Sequence, residues 1–270
     1  MAQEDTAAGT PVVKLHYYNN NNSIQYVILE SSLKKNKVFI PQKNKSFALF
    51  LDQSTPENLI GNILTDNEGK AKVFVPPSLK AAWDAAGTHN FIVKEGEEEI
   101  ISDYAITKSM LTIDTASEDG VRTITVTAMK WEKNKWSPAS DVEMKIGIER
   151  QASILSAGTT ETYTTDSAGK ATVELKRDSL PGDVNGNYTL AARVEDNDLF
   201  GNILVEKNVP WGVPTTIDTN FFNIRALWTT RFKTPYWLLF MAYSIVIGIW
   251  GTLIYLIVQM VKIAKMGKTP

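Results

Sequence analysis

One uncharged apolar run constrains this chain more than any other feature. Between Trp237 and Val261 the sequence reads WLLFMAYSIVIGIWGTLIYLIVQMV, without a charged side chain. As an α-helix this run would measure roughly 37 Å, which is enough to span a hydrocarbon core of about 30 Å. Tyr236 and Trp237 suit one membrane interface, and three lysines follow the other end. We therefore predict a transmembrane helix over residues 235–262 and a basic tail over residues 263–270.

The orientation of this helix depends on the sequence around it. Arg225, Arg231 and Lys233 before the helix balance the three lysines after it, so positive charge alone does not decide the direction. Residues 1–11 begin MAQEDTAAGT and are interpreted as a disordered segment or a signal-peptide remnant. We therefore expect an upstream signal peptide, a single pass through the cytoplasmic (inner) membrane, a periplasmic ectodomain and a cytoplasmic tail. The alternative is a tail-anchored protein whose large domain stays in the cytoplasm.

Before the apolar run, apolar residues alternate with polar ones at the period of a β-strand. Ile124, Val126 and Ala128 alternate with threonines, and residues 142–148 alternate in the same way. A period of two places one face of each strand in a core and the other toward water. The same pattern predicts strands in six further segments, namely 24–29, 47–51, 71–75, 91–93, 171–175 and 188–194.

One turn motif occurs twice in the chain. TDNEGKAKVFV at residues 65–75 is matched by TDSAGKATVEL at residues 165–175. Asp can bond the backbone that follows it and Gly can adopt positive φ, so each copy is predicted to form a tight turn into a strand. Upstream, residues 26–51 align with residues 124–148 through a strand, a lysine-rich turn, a proline and a second strand. Two tandem copies of one β-domain are the economical interpretation.

The T-D-x-x-G-K-A turn and the later G-x-Y strand resemble the bacterial immunoglobulin-like repeats of surface and envelope proteins. The resemblance implies an all-β fold with two tandem immunoglobulin-like β-sandwiches, over residues 12–110 and 111–212, plus one C-terminal transmembrane α-helix. It carries no catalytic residues onto this chain, since such sandwiches serve as spacers, adhesins and accessory subunits alike. Without cysteine no disulfide links the sheets, so each core must rest on buried apolar side chains.

Composition and motifs exclude several classes of chemistry. A net charge of −2, with no basic cluster interleaved with aromatic residues, disfavours nucleic acid as a partner. The absence of cysteine removes thiolate nucleophiles and Cys-ligated zinc. None of the common nucleotide-binding, hydrolase or metalloprotease motifs occurs. We therefore predict no enzymatic activity, no cofactor and no small-molecule substrate.

Two histidines, His16 and His89, are the only imidazole groups in the chain. Thioether and imidazole ligands suit copper, so Met110, Met129 and Met144 could join them in a copper site. These positions form no compact cluster in the sequence. Satisfied surface or edge histidines and core methionines are the preferred interpretation, and no metal site is predicted.

A tryptophan pair is the candidate ligand platform of the ectodomain. Trp131 and Trp136 flank the lysine-rich segment EKNK and could present an aromatic surface to a glycan or a protein. The preferred alternative is a hairpin across which the two rings pack against each other.

The predicted membrane helix carries a stripe of small and polar residues along one face. Such a stripe lets a second helix approach closely, so we predict a helix–partner interface here. Its residues are Ser244, Gly248, Gly251, Thr252, Tyr255 and Gln259.

The segment before the helix, residues 213–234, is rich in aromatic residues. It is predicted to be an amphipathic juxtamembrane segment on the membrane surface, or to pack against a partner subunit or the second domain. The predicted contact residues are Phe221, Phe222, Ile224, Arg225 and Trp228.

Together these features predict a non-enzymatic accessory or structural subunit of a bacterial cell-envelope membrane protein complex. Its partners would be the lipid bilayer and one or more integral-membrane subunits, on which the helix docks while the two domains cover the partner's outer face. The alternative is a surface adhesin or a receptor for a glycan or protein, with contacts through Trp131, Trp136 or other loops. A third hypothesis, a copper-handling envelope protein, requires His16 or His89 to converge with methionines.

Overall fold

The computed structural model describes residues 10–151, 153–177, 179–216 and 236–266, apart from the side chain of Ala264. Within these ranges the helices are α1 Lys80–Ala85 and α2 Tyr236–Met266, and short 3-10 turns cover Pro56–Asn58 and Pro77–Leu79. The strands are β1 Thr10–Asn20, β2 Ile24–Lys35, β3 Val38–Pro41, β4 Ser46–Leu51, β5 Leu59–Leu64, β6 Lys70–Phe74, β7 Thr88–Glu95, β8 Glu98–Thr107, β9 Ser109–Glu118, β10 Val121–Glu132, β11 Lys135–Pro138, β12 Glu143–Glu149, β13 Ile154–Ser156, β14 Tyr163–Thr164, β15 Lys170–Glu174, β16 Tyr188–Asn197 and β17 Gly201–Val209.

The strands form sandwich-like sheets, so the prediction of a mostly β fold with one C-terminal apolar helix is confirmed. Strands β1–β8, named here the first repeat, and β9–β17, the second repeat, follow the same pairing order. In the first repeat, β1, β2 and β6 lie side by side with β3 beside β2, and a second sheet runs β5-β4-β7-β8. In the second repeat, β9, β10 and β15 lie side by side with β11 beside β10. Its other strands run in the order β12-β16-β17, and β13 and β14 both pair with β12.

Each repeat has its own buried core, because its strands point alternate side chains inward. One apolar cluster draws on residues 15–106 and the other on residues 111–209. In the first cluster the inward faces of both sheets meet, so that Leu29 of β2 and Phe91 of β7 are completely buried. Ile124 of β10 is buried in the same way in the second cluster.

One strand pairing links the two repeats into a single compact body. β1, the first strand, pairs in parallel with β17, the last strand of the second repeat, and Tyr18 lies opposite Asn202. The result is a continuous sheet in the order β13-β12-β16-β17-β1-β2-β3. The other strand pairs between named strands are antiparallel within the described ranges. The start and the end of the β region therefore lie side by side.

The repeated turn has the same structure in both repeats. The Thr165 hydroxyl is buried, donates a hydrogen bond to the Ala139 carbonyl at 2.7 Å and accepts one from the Val142 amide at 2.9 Å. Thr65 makes the equivalent pair of bonds in the first repeat. The threonine of the motif therefore ties its turn to the loop that joins two earlier strands.

The glycine of the motif occupies a position that no other residue fits. Gly169 has φ +70°, its carbonyl accepts a hydrogen bond from the Ala128 amide at 2.8 Å, and a Cβ there would lie 2.5 Å from the Ala128 carbonyl oxygen. Asp166 supports the turn by accepting the Lys170 amide at 2.9 Å. Gly69 shows the same geometry with φ +75°. The motif therefore contains glycine in both copies because both turns require the same backbone conformation.

Helix α2 is long and apolar enough to cross a membrane over Tyr236–Ile263, judged by its length and composition. Residues 263–266, which the sequence analysis assigned to the basic tail, continue the helix to Met266. Residues 262–266 contain no glycine or proline, so the helix has no local reason to stop at residue 262.

Candidate functional site

The small-residue stripe lies on α2 as the sequence predicted for a helix. A Cβ added at Gly248 or Gly251 would meet no atom within 4 Å, so the surface is open at both glycines. The hydroxyls of Ser244 and Thr252 donate to carbonyls three residues earlier, each at 2.8 Å. These polar groups are therefore satisfied within the helix.

The C-terminal end of the stripe carries a hydrogen-bonded pair of side chains. The Gln259 amide nitrogen donates to the Tyr255 hydroxyl at 2.8 Å, one helical turn away. This bond fixes both polar groups along the helix surface. The predicted juxtamembrane contacts, Phe221, Phe222, Ile224, Arg225 and Trp228, lie outside the described residues.

The two tryptophans pack across their hairpin, as the preferred interpretation predicted. Trp131 and Trp136 are opposite each other on β10 and β11, with ring centroids 5.2 Å apart and an interplanar angle of 77°. The indole of Trp131 also contacts the first repeat, where a Cβ at Gly87 would lie 2.9 Å from its Cδ1. Lys108 places its ammonium 5.6 Å from the centre of the Trp131 ring and 2.7 Å from an Asp84 carboxylate oxygen. The pair thus lies at the junction between the repeats.

His89 is buried in the first core, which corrects the expectation of a surface or edge histidine. Its side chain has no exposed surface, and the ring stacks on Trp83 with centroids 4.4 Å apart. Nε2 donates to the Trp83 carbonyl at 2.9 Å and Nδ1 lies 2.8 Å from an Asp52 carboxylate oxygen. Both ring nitrogens already have protein partners, so this histidine orders α1 against β7.

His16 lies elsewhere, on β1, with its Nδ1 3.5 Å from an Asp196 carboxylate oxygen. Met144 is buried in the second core, whereas Met110 and Met129 lie opposite each other on β9 and β10. Within the part of the chain that the structure describes, no group of three His, Asp or Glu side chains is arranged to hold a metal ion. The histidines and methionines of the copper hypothesis therefore lie on separate elements.

The outer face of the continuous sheet carries a cleft of about 460 Å³ near the pairing of β1 with β17. Its aromatic wall is the cross-strand pair Tyr18 and Tyr26, whose rings stack in parallel with centroids 4.8 Å apart. The Lys72 ammonium lies 3.7 Å from the centre of the Tyr26 ring. Because a parallel partner occupies one face of Tyr26, the lysine must cover the other. Both faces of the Tyr26 ring are therefore already covered by side chains of the protein.

The asparagine run at residues 19–22 joins the repeats, a role that the sequence analysis missed. It forms the tip of the β1–β2 hairpin, and Asn22 adopts φ 54°, a conformation that asparagine tolerates better than most residues. The Asn22 side chain donates to the Leu111 carbonyl at 2.7 Å and accepts from the Leu111 amide at 3.1 Å. The run suggests a hairpin turn from sequence, but nothing local indicates a partner 89 residues away.

Asn21 extends the same junction on the other side. Its backbone amide donates to the Leu204 carbonyl at 2.7 Å, and its side chain accepts the Glu206 amide at 2.8 Å and donates to the Glu206 carboxylate at 3.1 Å. A hydrogen bond from the Glu149 carboxyl group, helped by Asn21, holds the pKa of Glu206 below its ordinary value. The same hydrogen bond with Glu206, together with burial, raises the pKa of Glu149. The hairpin tip is thus clamped between β9 and β17.

Replacing Asn22 by alanine should weaken the coupling between the repeats by about 2 kcal/mol, since two hydrogen bonds to Leu111 and a favourable positive-φ residue are lost. Amide hydrogen exchange of the full-length chain in detergent should show reduced protection at Leu111. Asn44→Ala is the matched control, because Asn44 also has positive φ (56°) but its bond to the Thr65 carbonyl, within the first repeat, is made by the backbone amide that alanine retains. Equal protection of Leu111 in both variants would contradict the clamp.

No protein-family model matches the chain, and no curated protein sequence matches it. Among solved structures it is similar to two structures of a β-glucuronidase from Parabacteroides merdae, one of them with glycerol in its active site. The identities are 12% and 11%, both alignments cover 74% of this chain and 24% or 25% of the other, and both TM-scores are 0.25. It is also similar to a tetra-tandem repeat in the extending region of a large adhesion protein, at 13% identity, with 75% of this chain and 49% of that chain covered and a TM-score of 0.25. The chain spans between a quarter and a half of the length of these structures.

Proposed function

We propose that this chain is a non-enzymatic structural or accessory subunit of a bacterial cell-envelope membrane complex. Its β region comprises two tandem immunoglobulin-like domains, at residues 12–110 and 111–212, exposed on the periplasmic side. Helix α2 is a single anchor in the inner membrane, with the C-terminal tail in the cytoplasm. The helix docks on an integral-membrane subunit, and the domains cover that subunit's outer face.

The observation that carries this proposal is the way the two repeats are joined. A flexible pair of binding modules would be connected by a linker, with few contacts between them. Here β1 pairs with β17, Asn21 and Asn22 bond the second repeat, and Trp131 packs on Gly87. A single body of this kind suits a part that keeps a fixed length and surface within an assembly.

The apolar helix supports the proposal by a second route. An anchor needs only apolar length, whereas α2 presents Gly248 and Gly251 on an open surface between residues whose hydroxyls are already bonded. Two helices can pack at short distance across such a surface, because no side chain separates the backbones. We therefore assign the docking of an integral-membrane partner to this stripe.

Gly248→Leu is expected to reduce recovery of the membrane partner at least tenfold, equivalent to about 1.4 kcal/mol of docking free energy. The leucine would fill the groove and keep the partner helix away. The measurement is co-purification of the full-length chain from membranes solubilised in a gentle detergent. Ala242→Leu is the matched control, since it makes a similar small-to-large change on another face of α2. Unchanged recovery with Gly248→Leu would contradict docking by the stripe.

An adhesin or receptor would respond differently to changes in the helix. Its helix would serve only as an anchor, so any apolar helix of equal length could replace α2 without loss of ligand binding. Retained ligand binding after such a replacement would favour an adhesin or receptor over an accessory subunit.

A further inference from the structure

The two repeats carry the same hairpin in different surroundings. The first hairpin, β2 and β3, turns through Asn36 and Lys37 with φ 49° and 65°. The second hairpin, β10 and β11, turns through Lys133 and Asn134 with φ 51° and 60°. Each has a two-residue turn of positive φ and a proline as the fourth residue of the returning strand, so the two hairpins are structural equivalents.

The second hairpin shows what this element does when it is covered. Its cross-strand pair Trp131 and Trp136 is half-buried. Trp131 lies against Gly87 at the end of the first repeat, and Lys108 of that end lies between the Trp131 ring and Asp84. The hairpin therefore packs the Trp131 ring on the end of the first repeat. The ring lies at a glycine, next to a lysine and an aspartate.

The first hairpin presents an equivalent surface that is open. Lys34 and Phe39 occupy the paired positions of the two tryptophans, and the Lys34 ammonium lies 5.7 Å from the Phe39 ring centre. Val38, Phe39 and Ile40 are 60%, 53% and 47% exposed. Apolar residues on an edge strand are costly to leave in water. Phe39 lies on the same face as Lys34, whereas Val38 and Ile40 lie on the opposite face.

The position of the first hairpin places it away from the junction. β1 runs from Thr10, which pairs with Lys34, to Asn20, at the junction with the second repeat. The eleven residues of this strand span about 35 Å. The open surface is therefore at the opposite end of the first repeat from the surface that the second hairpin covers.

Charge distinguishes between the candidate occupants. The hairpin carries Lys34, Lys35 and Lys37 around its apolar residues. Two copies of this chain meeting hairpin to hairpin would bring these lysines together, and the end of the first repeat at Gly87 is already occupied by Trp131. A partner with carboxylates around an apolar spot complements the hairpin in both respects.

We propose that the first hairpin docks on the end of a β-sandwich domain of a partner protein, with Phe39 on an apolar spot and Lys34 beside acidic side chains. This inference rests on the proposed function, which supplies a complex, and adds a second contact outside the membrane. The docking face is the equivalent of the tryptophan face of the second hairpin, with Phe39 in the position of Trp136 and Lys34 in the position of Trp131.

The test places the photo-crosslinking residue p-benzoylphenylalanine at position 39 of the full-length chain in its native membrane. Val184, a 67% exposed residue outside the hairpin, takes the same label as the control position. We expect a discrete adduct from position 39 alone, whose crosslinked peptide maps to the end of a β-sandwich domain beside Asp or Glu residues. Adding Lys34→Glu should lower the adduct yield about tenfold, since a carboxylate would then face the acidic side chains of the partner.

Four outcomes would overturn the inference: an adduct of this chain with itself, an adduct within the chain, an adduct with a lipid-embedded helical segment, or no adduct beyond that of position 184. The result is separable from the test of the helix. If the adduct forms while Gly248→Leu leaves recovery unchanged, docking by α2 fails and the hairpin contact stands. If Gly248→Leu releases the partner and no adduct forms, only the hairpin contact fails.

Discussion

Gly169→Ala is expected to lower the free energy of unfolding of the second repeat by about 3 kcal/mol. A residue with a Cβ at φ +70° costs about 1–2 kcal/mol on backbone grounds. The added carbon would also lie 2.5 Å from the Ala128 carbonyl oxygen, so the turn must move away from β10 and its hydrogen bond to Ala128 must lengthen. The cost of such overpacking is about 1–3 kcal/mol.

The chain supplies a matched control for this prediction. Gly120 has φ +81° and no atom within 4 Å of an added Cβ, so Gly120→Ala loses only the backbone part, about 1 kcal/mol. Denaturant unfolding of the full-length chain in detergent, followed by circular dichroism of the β-sheets, measures both variants. Gly69→Ala and Gly96→Ala form the same pair in the first repeat. Equal effects within each pair would show that the close contact with the neighbouring strand is unimportant.

His89→Ala should destabilise the first repeat by about 3 kcal/mol. The substitution removes a fully buried ring that stacks on Trp83 and leaves the Trp83 carbonyl without its hydrogen-bond donor. The cavity adds to the loss, because the packed surroundings collapse only in part. Asp52 is about one third exposed, so water can replace the histidine at its carboxylate and that contact contributes little to the total.

The second histidine provides the comparison for this experiment. His16 faces a largely exposed Asp196 across 3.5 Å, and such surface pairs contribute about 0.5 kcal/mol or less. Thermal unfolding should therefore separate the two alanine variants by several degrees, with His89→Ala the less stable. Similar melting temperatures would show that the burial of His89 does not matter to the first core.

The strands and the repeated turn could be predicted because their signals are local. Alternation at period two in residues 24–29 and 188–194 depends only on which side chains face a core, and both segments lie within strands of the structure. Asp166 and Gly169 signal their turn in the same way, since Asp bonds amides two and four residues ahead and Gly supplies positive φ. The pair of tryptophans across one hairpin is also a contact between near neighbours in sequence.

The burial of His89 could not be predicted from its neighbours. The residue occupies an inward position of β7, where an apolar side chain is the usual choice. What makes a histidine acceptable there is the arrival of Asp52 from an earlier loop and of the Trp83 carbonyl from α1. The sequence does not indicate that these two groups meet at one ring.

The sequence by itself determined a β-rich chain with a duplicated turn and one apolar helix, because each of these depends on periodicity or on the backbone preference of a few adjacent residues. Only the tertiary structure showed that β1 pairs with β17, that Asn21 and Asn22 clamp the second repeat, and that one of two equivalent hairpins is covered while the other is open. The strand pairing and the asparagine contacts join groups that are roughly 90 to 185 residues apart. Contacts at such separations depend on how whole sheets pack, and no short-range pattern records them.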